Sequence, residues 1–237
     1  MTCSCHNRAT LTILQRDPTQ TLTIRNSFAS QMGARFRQLK GDIRKSIVNN
    51  DAFGLRLNAP AGPREFSFGS DADQIRAFRQ WLRKQVRRGI IEVYSEDGSE
   101  QEFRNAWWAV FLNTGYTAGI THAVTQYTKT GRAVPFGVGN VFAIAQQPIH
   151  AEALKVIYQQ VFSELEGITI AMEKQLQRVL VDGLKKGWNP NKIATEINRK
   201  VDAIGLKRAR LLARTEISRA HAEGTLNEFE ALGISEL

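Results

Sequence analysis

Three residues near the carboxyl end of the chain have the types that form a nucleophile, a general base and an orienting acid: Ser218, His221 and Glu216. All three fall on one short predicted helix, where side chains at these spacings fan outward and cannot converge as a catalytic triad must. The sequence also lacks a phosphate-cradling glycine loop, a His-Glu-x-x-His motif and a Cys-x-x-Cys pair. We therefore expect no catalytic residue, no cofactor and no enzymatic activity.

A second candidate for chemistry is the Cys-x-Cys-His cluster formed by Cys3, Cys5 and His6. It could supply three zinc ligands, but a structural zinc site usually needs four, at spacings that leave room for a turn. The two cysteines are the only ones in the chain and are too close in sequence to staple a fold. We expect no metal site and a core without disulfides, as suits a reducing cytoplasm.

Basic side chains are the third candidate, and they suggest an acidic partner. The formal net charge is +9; residues 1–100 carry 16 Lys and Arg against 10 Asp and Glu, whereas residues 151–237 carry 13 against 12. On two predicted helices the basic residues recur at helical spacing, which suits contact with nucleic-acid phosphates. The alternatives are a solvated helix face and a docking surface for an acidic protein. The candidate contact residues are Arg35, Arg37, Lys40, Arg44, Lys45, Arg76, Arg79, Arg83, Lys84, Arg87 and Arg88.

The elements that must position these basic residues are two predicted amphipathic helices. The first runs from Asn26 for about five turns, because apolar residues recur at intervals of three and four: Phe28, Met32, Phe36, Leu39, Ile43 and Ile47. The second opens at a capping-box pattern in residues 70–73 and stops at Gly89. The turn-rich segment between them, residues 50–69, contains Phe66 and Phe68 in alternation and predicts at most a short strand.

Further along, residues 90–100 predict a short hairpin or loop, and a third helix is predicted from about Phe103 to Tyr127. Glycines and prolines between Thr130 and Asn140 mark a linker. Beyond it we predict helices at 148–165 and 168–186.

The last part of the chain predicts two more long helices. The helix before them ends at Gly187, and Asn189-Pro190 begins the next one. A turn is predicted near Gly205, followed by a helix over about 206–223 and a short one before Gly233.

The fold class that follows is mainly α: a multi-helix assembly with at most a short β-hairpin, in which a Gly/Pro-containing linker joins two helical regions. The predicted organisation is an N-terminal extension (residues 1–25), a basic helical region (26–132), a linker (133–146) and a second helical region (147–237).

The third predicted helix carries no Asp, Glu, Lys or Arg from Asn105 to Thr128, a length that could cross a bilayer. Its many polar residues argue against a membrane span, so we expect burial within the protein or an assembly. Gly115 and Gly119 form a G-x-x-x-G pattern within it. In a membrane this spacing allows close helix approach, but we favour tight packing against another helix of the same protein or of a neighbouring subunit.

The segment from Gly187 to Gly224 is superficially a helix-turn-helix, with Lys207, Arg208 and Arg210 where a recognition helix would carry basic residues. The rest of that helix alternates in sign, which favours ion pairing over insertion into a DNA groove. A helix-turn-helix DNA-binding protein is therefore kept as one alternative function. A second alternative, based on the uncharged segment from Asn105 to Thr128, is an ejected, membrane-active protein.

Residues 213–224, ARTEISRAHAEG, preceded by the Gly187-to-Pro190 turn, resemble the opening of the phage head-morphogenesis domain, the family of Mu F-like minor head proteins. The front of the chain is also similar to such proteins at residues 36–45, 51–55 and 66–73. The family-motif residues are Arg214, Thr215, Glu216, His221 and Gly224, and we interpret Arg214 and Glu216 as structural.

This resemblance implies a minor capsid component made with the portal and scaffold during prohead assembly, acting in DNA packaging or ejection. The implied partners are the portal, non-specifically bound double-stranded DNA, and the scaffold or major capsid protein. The implied location is the virion, inside the head near the portal, after assembly in the host cytoplasm. Family members usually carry a further Trp and an Asp-rich, Cys-containing motif, which this sequence does not contain.

Overall fold

The structure, a computed structural model, describes residues 17, 19–55, 71–93, 98–134 and 141–234. Within these ranges it contains helices and no strand, so the mainly α-helical prediction is confirmed. The helices are α1 (Leu22–Arg44), α2 (Asp71–Val86), α3 (Glu100–Asn105), α4 (Ala109–Lys129), α5 (Val141–Ile144), α6 (Pro148–Lys185) and α7 (Pro190–Ala231). Two π-helical turns, Lys45–Asn49 and Arg87–Ile91, directly follow α1 and α2.

Local backbone and side-chain hydrogen bonds explain where α6 ends and α7 begins. The backbone N–H of Trp188 donates to the Gly183 carbonyl at 2.8 Å, and Gly187 adopts a φ of 60°, a left-handed conformation that ends α6. Asn189 Oδ1 then accepts from the Lys192 N–H at 2.9 Å, and proline fills the first position of α7. The predicted end at Gly187 and the predicted start at Asn189-Pro190 are confirmed.

Two predicted breaks at glycine are wrong. Helix α6 continues through Gly167, and α7 continues through Gly205, where a turn was predicted. A glycine inside a helix costs only about 0.5–1 kcal/mol, and at Gly205 the helix gains close packing, because an added Cβ would lie 2.7 Å from the Phe36 ring. The turn that a helix-turn-helix requires is therefore replaced by continuous helix.

Other predicted boundaries also shift. The predicted helix from Phe103 to Tyr127 is two helices, interrupted where Ala106 adopts an extended conformation. The second predicted helix does not stop at Gly89, because a π-helical turn carries the chain on to bury Ile90 and Ile91. These two residues were predicted to begin a hairpin or loop. The short helix α5 falls inside the predicted linker.

Several predictions lie outside the described residues. They are the cysteine cluster, the strand at Phe66 and Phe68, the Ser70 side of the capping box and residues 135–140 of the linker.

The chain divides into two compact units, each assembled from separate parts of the sequence. The first unit lies within residues 1–28, 107–160 and 210–237, and the second within 29–106 and 161–209. The regions predicted from the sequence are consecutive, whereas each unit combines front and back segments of the chain. Both long helices, α6 and α7, contribute residues to both units.

Candidate functional site

Two of the basic residues predicted on the first helix are engaged inside the second unit. Arg35 donates to the Gly89 carbonyl at 2.8 Å and pairs with Glu92 at 2.5 Å. Lys40 pairs with Asp202 of α7 at 2.7 Å. These contacts tie α1 to neighbouring segments, so both residues have a structural role. The other three, Arg37, Arg44 and Lys45, are exposed and form no ion pair with any residue that the structure describes.

The basic stripe on α2 and on the π-helical turn that follows it faces two carboxylates of α6. Arg79 Nε lies 3.1 Å from Glu173, and Arg83 contacts both carboxylate oxygens of the same residue at 3.2–3.3 Å. Arg87 pairs with Glu166 at 3.1 Å. Glu173 is 5% exposed, so Arg79 and Arg83, rather than solvent, compensate most of its negative charge. The pattern of basic residues was visible in the sequence, but their acidic partners were not.

A groove runs between α2 and α6 beside these ion pairs. Its volume is about 1070 Å³, and its charged lining residues are five cations and two carboxylates: Arg76, Arg79, Arg83, Lys84, Arg87, Glu166 and Glu173. The positive charges therefore outnumber the negative ones by three. The apolar side chain of Ile170 on the same lining is 47% exposed. Arg88 lies outside this groove and is exposed.

The glycine pair of α4 packs against α7 within the first unit. A Cβ added to Gly119 would overlap the His221 carbonyl oxygen, and one added to Gly224 would overlap the Tyr116 carbonyl oxygen. At Gly115 the nearest neighbour is Ile217, at 3.3 Å from such a Cβ. The prediction that the G-x-x-x-G pattern packs against another helix of the same protein is confirmed.

The remaining motif residues of α7 differ in their surroundings. Glu216 is 2% exposed and pairs with Arg219 at 3.3 Å. Arg214 and Thr215 are exposed, and within the described part of the chain Arg214 forms no ion pair. The structural role of Arg214 stays a prediction. Ser218 forms no hydrogen bond with His221 among the described residues. Ser218, His221 and Glu216 therefore do not form a hydrogen-bonded triad in the described structure.

A buried hydrogen-bonded chain that the sequence did not indicate links α4, α6 and α7. The Tyr116 hydroxyl lies 2.9 Å from His150 Nδ1, and His150 Nε2 lies 3.1 Å from Glu228. Asn227 donates to the Tyr116 hydroxyl at 2.9 Å. Burial raises the pKa of Tyr116 to about 12, opposed by the Asn227 hydrogen bond. His150 and Glu228 are 78 residues apart, and no spacing rule could connect them.

A histidine pair lies at the close contact that Gly119 makes with α7. The rings of His122 on α4 and His221 on α7 have centroids 5.8 Å apart. His221 is 8% exposed, and burial lowers its pKa below 6.5. The positive charge of His122 lowers it further, whereas Asp17 opposes the shift.

Within the described residues, no group of three or more His, Cys, Asp or Glu side chains is arranged to hold a metal ion. None of the described helices has the length and apolar character needed to cross a membrane. The chain matches no protein-family model, no curated protein and no solved structure. The resemblance to head-morphogenesis proteins therefore rests on the quoted residues alone and remains a hypothesis.

Proposed function

We propose that the chain is a phage minor head protein without enzymatic activity, which binds packaged double-stranded DNA non-specifically and the portal inside the head. The observation that carries the DNA part is the basic surface of the second unit. Five cations face two carboxylates in the groove between α2 and α6. Outside the groove, Arg37, Arg44, Lys45 and Arg88 add further exposed positive charge. Such a surface favours the DNA backbone without reading bases.

The structural role is supported by how the resembling motif is used. His221 and Gly224 lie in the close contact between α7 and α4, and Glu216 is buried. These positions stabilise the packing of helices, as an architectural component requires, and they offer no converging reactive groups.

DNA binding is tested with the full chain and a fluorescein-labelled duplex of arbitrary sequence, by anisotropy across a series of NaCl concentrations. We expect weak binding that does not depend on sequence and falls steeply with salt. Neutralising four exposed cations, Arg37, Arg44, Lys84 and Arg88, by replacement with Gln reduces the slope of log K against log salt by about 3 to 4 units, because each phosphate that the protein no longer neutralises removes about 0.9.

A matched control replaces four exposed cations elsewhere, Lys174, Arg178, Arg208 and Arg210, with Gln. The control has the same net charge as the first variant and should keep most of the salt slope. Equal reductions in both variants would mean that only net charge matters, and sequence-dependent binding would contradict the proposal.

Portal binding is tested by co-sedimentation of the full chain with the portal protein of the same phage under assembly conditions. Association supports the assignment as a minor head protein. If the portal sediments without the chain, the central part of the proposal is wrong, whatever the result with DNA.

A further inference from the structure

The groove between α2 and α6 contains two arginines that share one buried carboxylate. The Glu173 side chain is 6% exposed, whereas the Arg79 and Arg83 side chains are 46% and 61% exposed. One negative charge thus lies beneath two positive charges that remain open to solvent. The three groups together keep one unit of positive charge, fixed at a single place on the groove wall.

The hydrogen bonds to Glu173 leave the outer parts of both guanidinium groups available. Arg79 bonds Glu173 only through its Nε, so neither of its two terminal nitrogens forms a hydrogen bond within the described chain. Arg83 uses Nε and one terminal nitrogen, which leaves the other. A guanidinium group held in this way presents a rigid fork of N–H donors, the geometry that matches the oxygens of a phosphate group.

Glu173 also determines how well ordered the two forks are. Arginine side chains lose about 2 kcal/mol of rotamer entropy when they are fixed, and two like charges on adjacent helical turns repel each other. The buried carboxylate offsets both effects before any ligand arrives. Binding to donors that are already ordered is tighter than binding to donors that must be ordered by the ligand.

We propose that this groove is a phosphate-binding site, in which Arg79 and Arg83 contact the phosphate group and Glu173 is the positioning residue that holds them. The inference deepens the proposed function and rests on it for the source of the phosphate, the DNA backbone. Arg76 on α2 and Arg87, the first residue of the π-helical turn that follows, extend the same stripe over about 16 Å, since each residue advances the helix by about 1.5 Å. The site can therefore follow successive phosphates of one strand.

An acidic protein segment fits the groove less well. Arginine clusters also bind acidic peptides, but a peptide in a groove is usually held in addition by apolar anchors or by unpaired backbone groups of the receptor. The walls here are helices, whose interior backbone groups are already hydrogen-bonded. Ile170 is the one apolar lining residue with a large exposed side chain in the described part of the groove. Phosphate groups need only side-chain donors, which the groove supplies.

The test uses the full chain and three probes: inorganic tripolyphosphate, followed by calorimetry, a labelled duplex, followed by anisotropy, and poly-glutamate. The main variant is Arg79→Gln/Arg83→Gln, and the charge-matched control is Arg208→Gln/Arg210→Gln on exposed positions of α7. We expect the main variant to weaken tripolyphosphate binding at least tenfold and the control to weaken it less than twofold. Equal effects of the two variants would overturn the proposed site.

Glu173→Gln separates positioning from charge. It adds one unit of net positive charge, so a purely electrostatic surface would bind phosphate more tightly. If Glu173 orders the two arginines, tripolyphosphate affinity instead falls at least threefold. A rise in affinity would overturn the positioning role.

The main variant could lose its fold because it removes both partners of a buried carboxylate. Arg76→Gln/Lys84→Gln lines the same groove without contacting Glu173, and far-UV circular dichroism verifies both variants. This second variant should weaken tripolyphosphate binding three- to tenfold; unchanged binding counts against the site.

The probes distinguish the two proposals. If the duplex does not bind but tripolyphosphate depends on Arg79 and Arg83, the DNA function fails and the phosphate site stands with a free polyphosphate as its source. If the duplex binds and the groove variants behave like the control, the site fails and the DNA function stands. Poly-glutamate binding tighter than both phosphate probes, with the same dependence on the groove, overturns the phosphate assignment.

Discussion

Gly119 of α4 and His221 of α7 approach so closely that a Cβ on the glycine would overlap the histidine carbonyl oxygen. The contact is reinforced from the same side, because the Thr225 hydroxyl donates to the Gly119 carbonyl at 3.2 Å. One turn further along α7, Gly224 lies equally close to the backbone of Tyr116. The first unit therefore depends on backbone-to-backbone packing that only glycine permits.

Gly119→Ala should destabilise the protein by about 3 kcal/mol, because the added methyl group meets backbone atoms that cannot rotate away. The measurement is the free energy of unfolding in urea. Gly167→Ala is the matched control: this residue also lies inside a helix, is exposed, and has nothing within 4 Å of an added Cβ. It should raise stability by about 0.5–1 kcal/mol. Similar effects at both positions would contradict the packing described.

Glycines also show which parts of the fold could be predicted from sequence. The ends at Gly187 and Asn189-Pro190 follow from local hydrogen bonds and backbone conformation, and local rules found them. Gly167 and Gly205 carry the same residue type within continuous helix, and the Asn-Pro pair that follows Gly187 is missing after both of them. Glycine alone therefore does not predict the end of a helix. At Gly205 the deciding contact is with the Phe36 ring, far away in sequence.

The candidate site shows the same limit. Helical spacing identified the stripe that contains Arg79 and Arg83, but it could not identify Glu173, which lies 94 and 90 residues away. A carboxylate on an amphipathic helix is usually exposed, and only the folded contact makes this one a buried partner of two arginines.

Tyr116→Phe should destabilise the protein by about 1–3 kcal/mol at neutral pH, because it removes a hydroxyl that bonds His150 and Asn227 in the core. A second effect appears at high pH. The pKa of Tyr116 is raised from 10.0 to about 12, so the unfolded chain loses the proton first and stability falls as pH rises from about 10 to 12. Over that window the loss reaches about 2–3 kcal/mol.

The measurement is the free energy of unfolding of the wild type and of Tyr116→Phe between pH 8 and 11.5. Other groups titrate equally in the two proteins, so the difference between their unfolding free energies isolates Tyr116. This difference should become smaller above pH 10. A gap that stays constant would mean that the hydroxyl is not buried as described.

Glu173→Gln should lower the free energy of unfolding by about 1–2 kcal/mol. A fully buried ion pair would lose more when broken, but Arg79 and Arg83 are about half exposed and solvent screens their interaction. The control is Glu196→Gln, which breaks an exposed ion pair with Arg199 on α7. It should change the free energy of unfolding by less than about 0.5 kcal/mol. Thermal or urea unfolding measures both, and equal losses would argue that Glu173 is not buried between the arginines.

His221 should make the protein sensitive to mild acid. Burial lowers its pKa below 6.5, and the charge of His122 lowers it further. The unfolded chain therefore takes up a proton before the folded one does, so stability is complete above about pH 6.5 and falls as pH drops through the lowered pKa. His221→Gln should remove this part of the slope between pH 7.5 and 5, as measured by urea unfolding at each pH.

His122→Gln provides the control for this prediction. It removes the neighbouring positive charge but leaves His221 buried, so the pKa of His221 should rise toward 6.5 without reaching it. NMR titration of the His221 ring protons measures the pKa of His221 in the wild type and in His122→Gln. Identical acid slopes in the wild type and in His221→Gln would show that His221 does not titrate from the buried position that the close contact between α4 and α7 gives it.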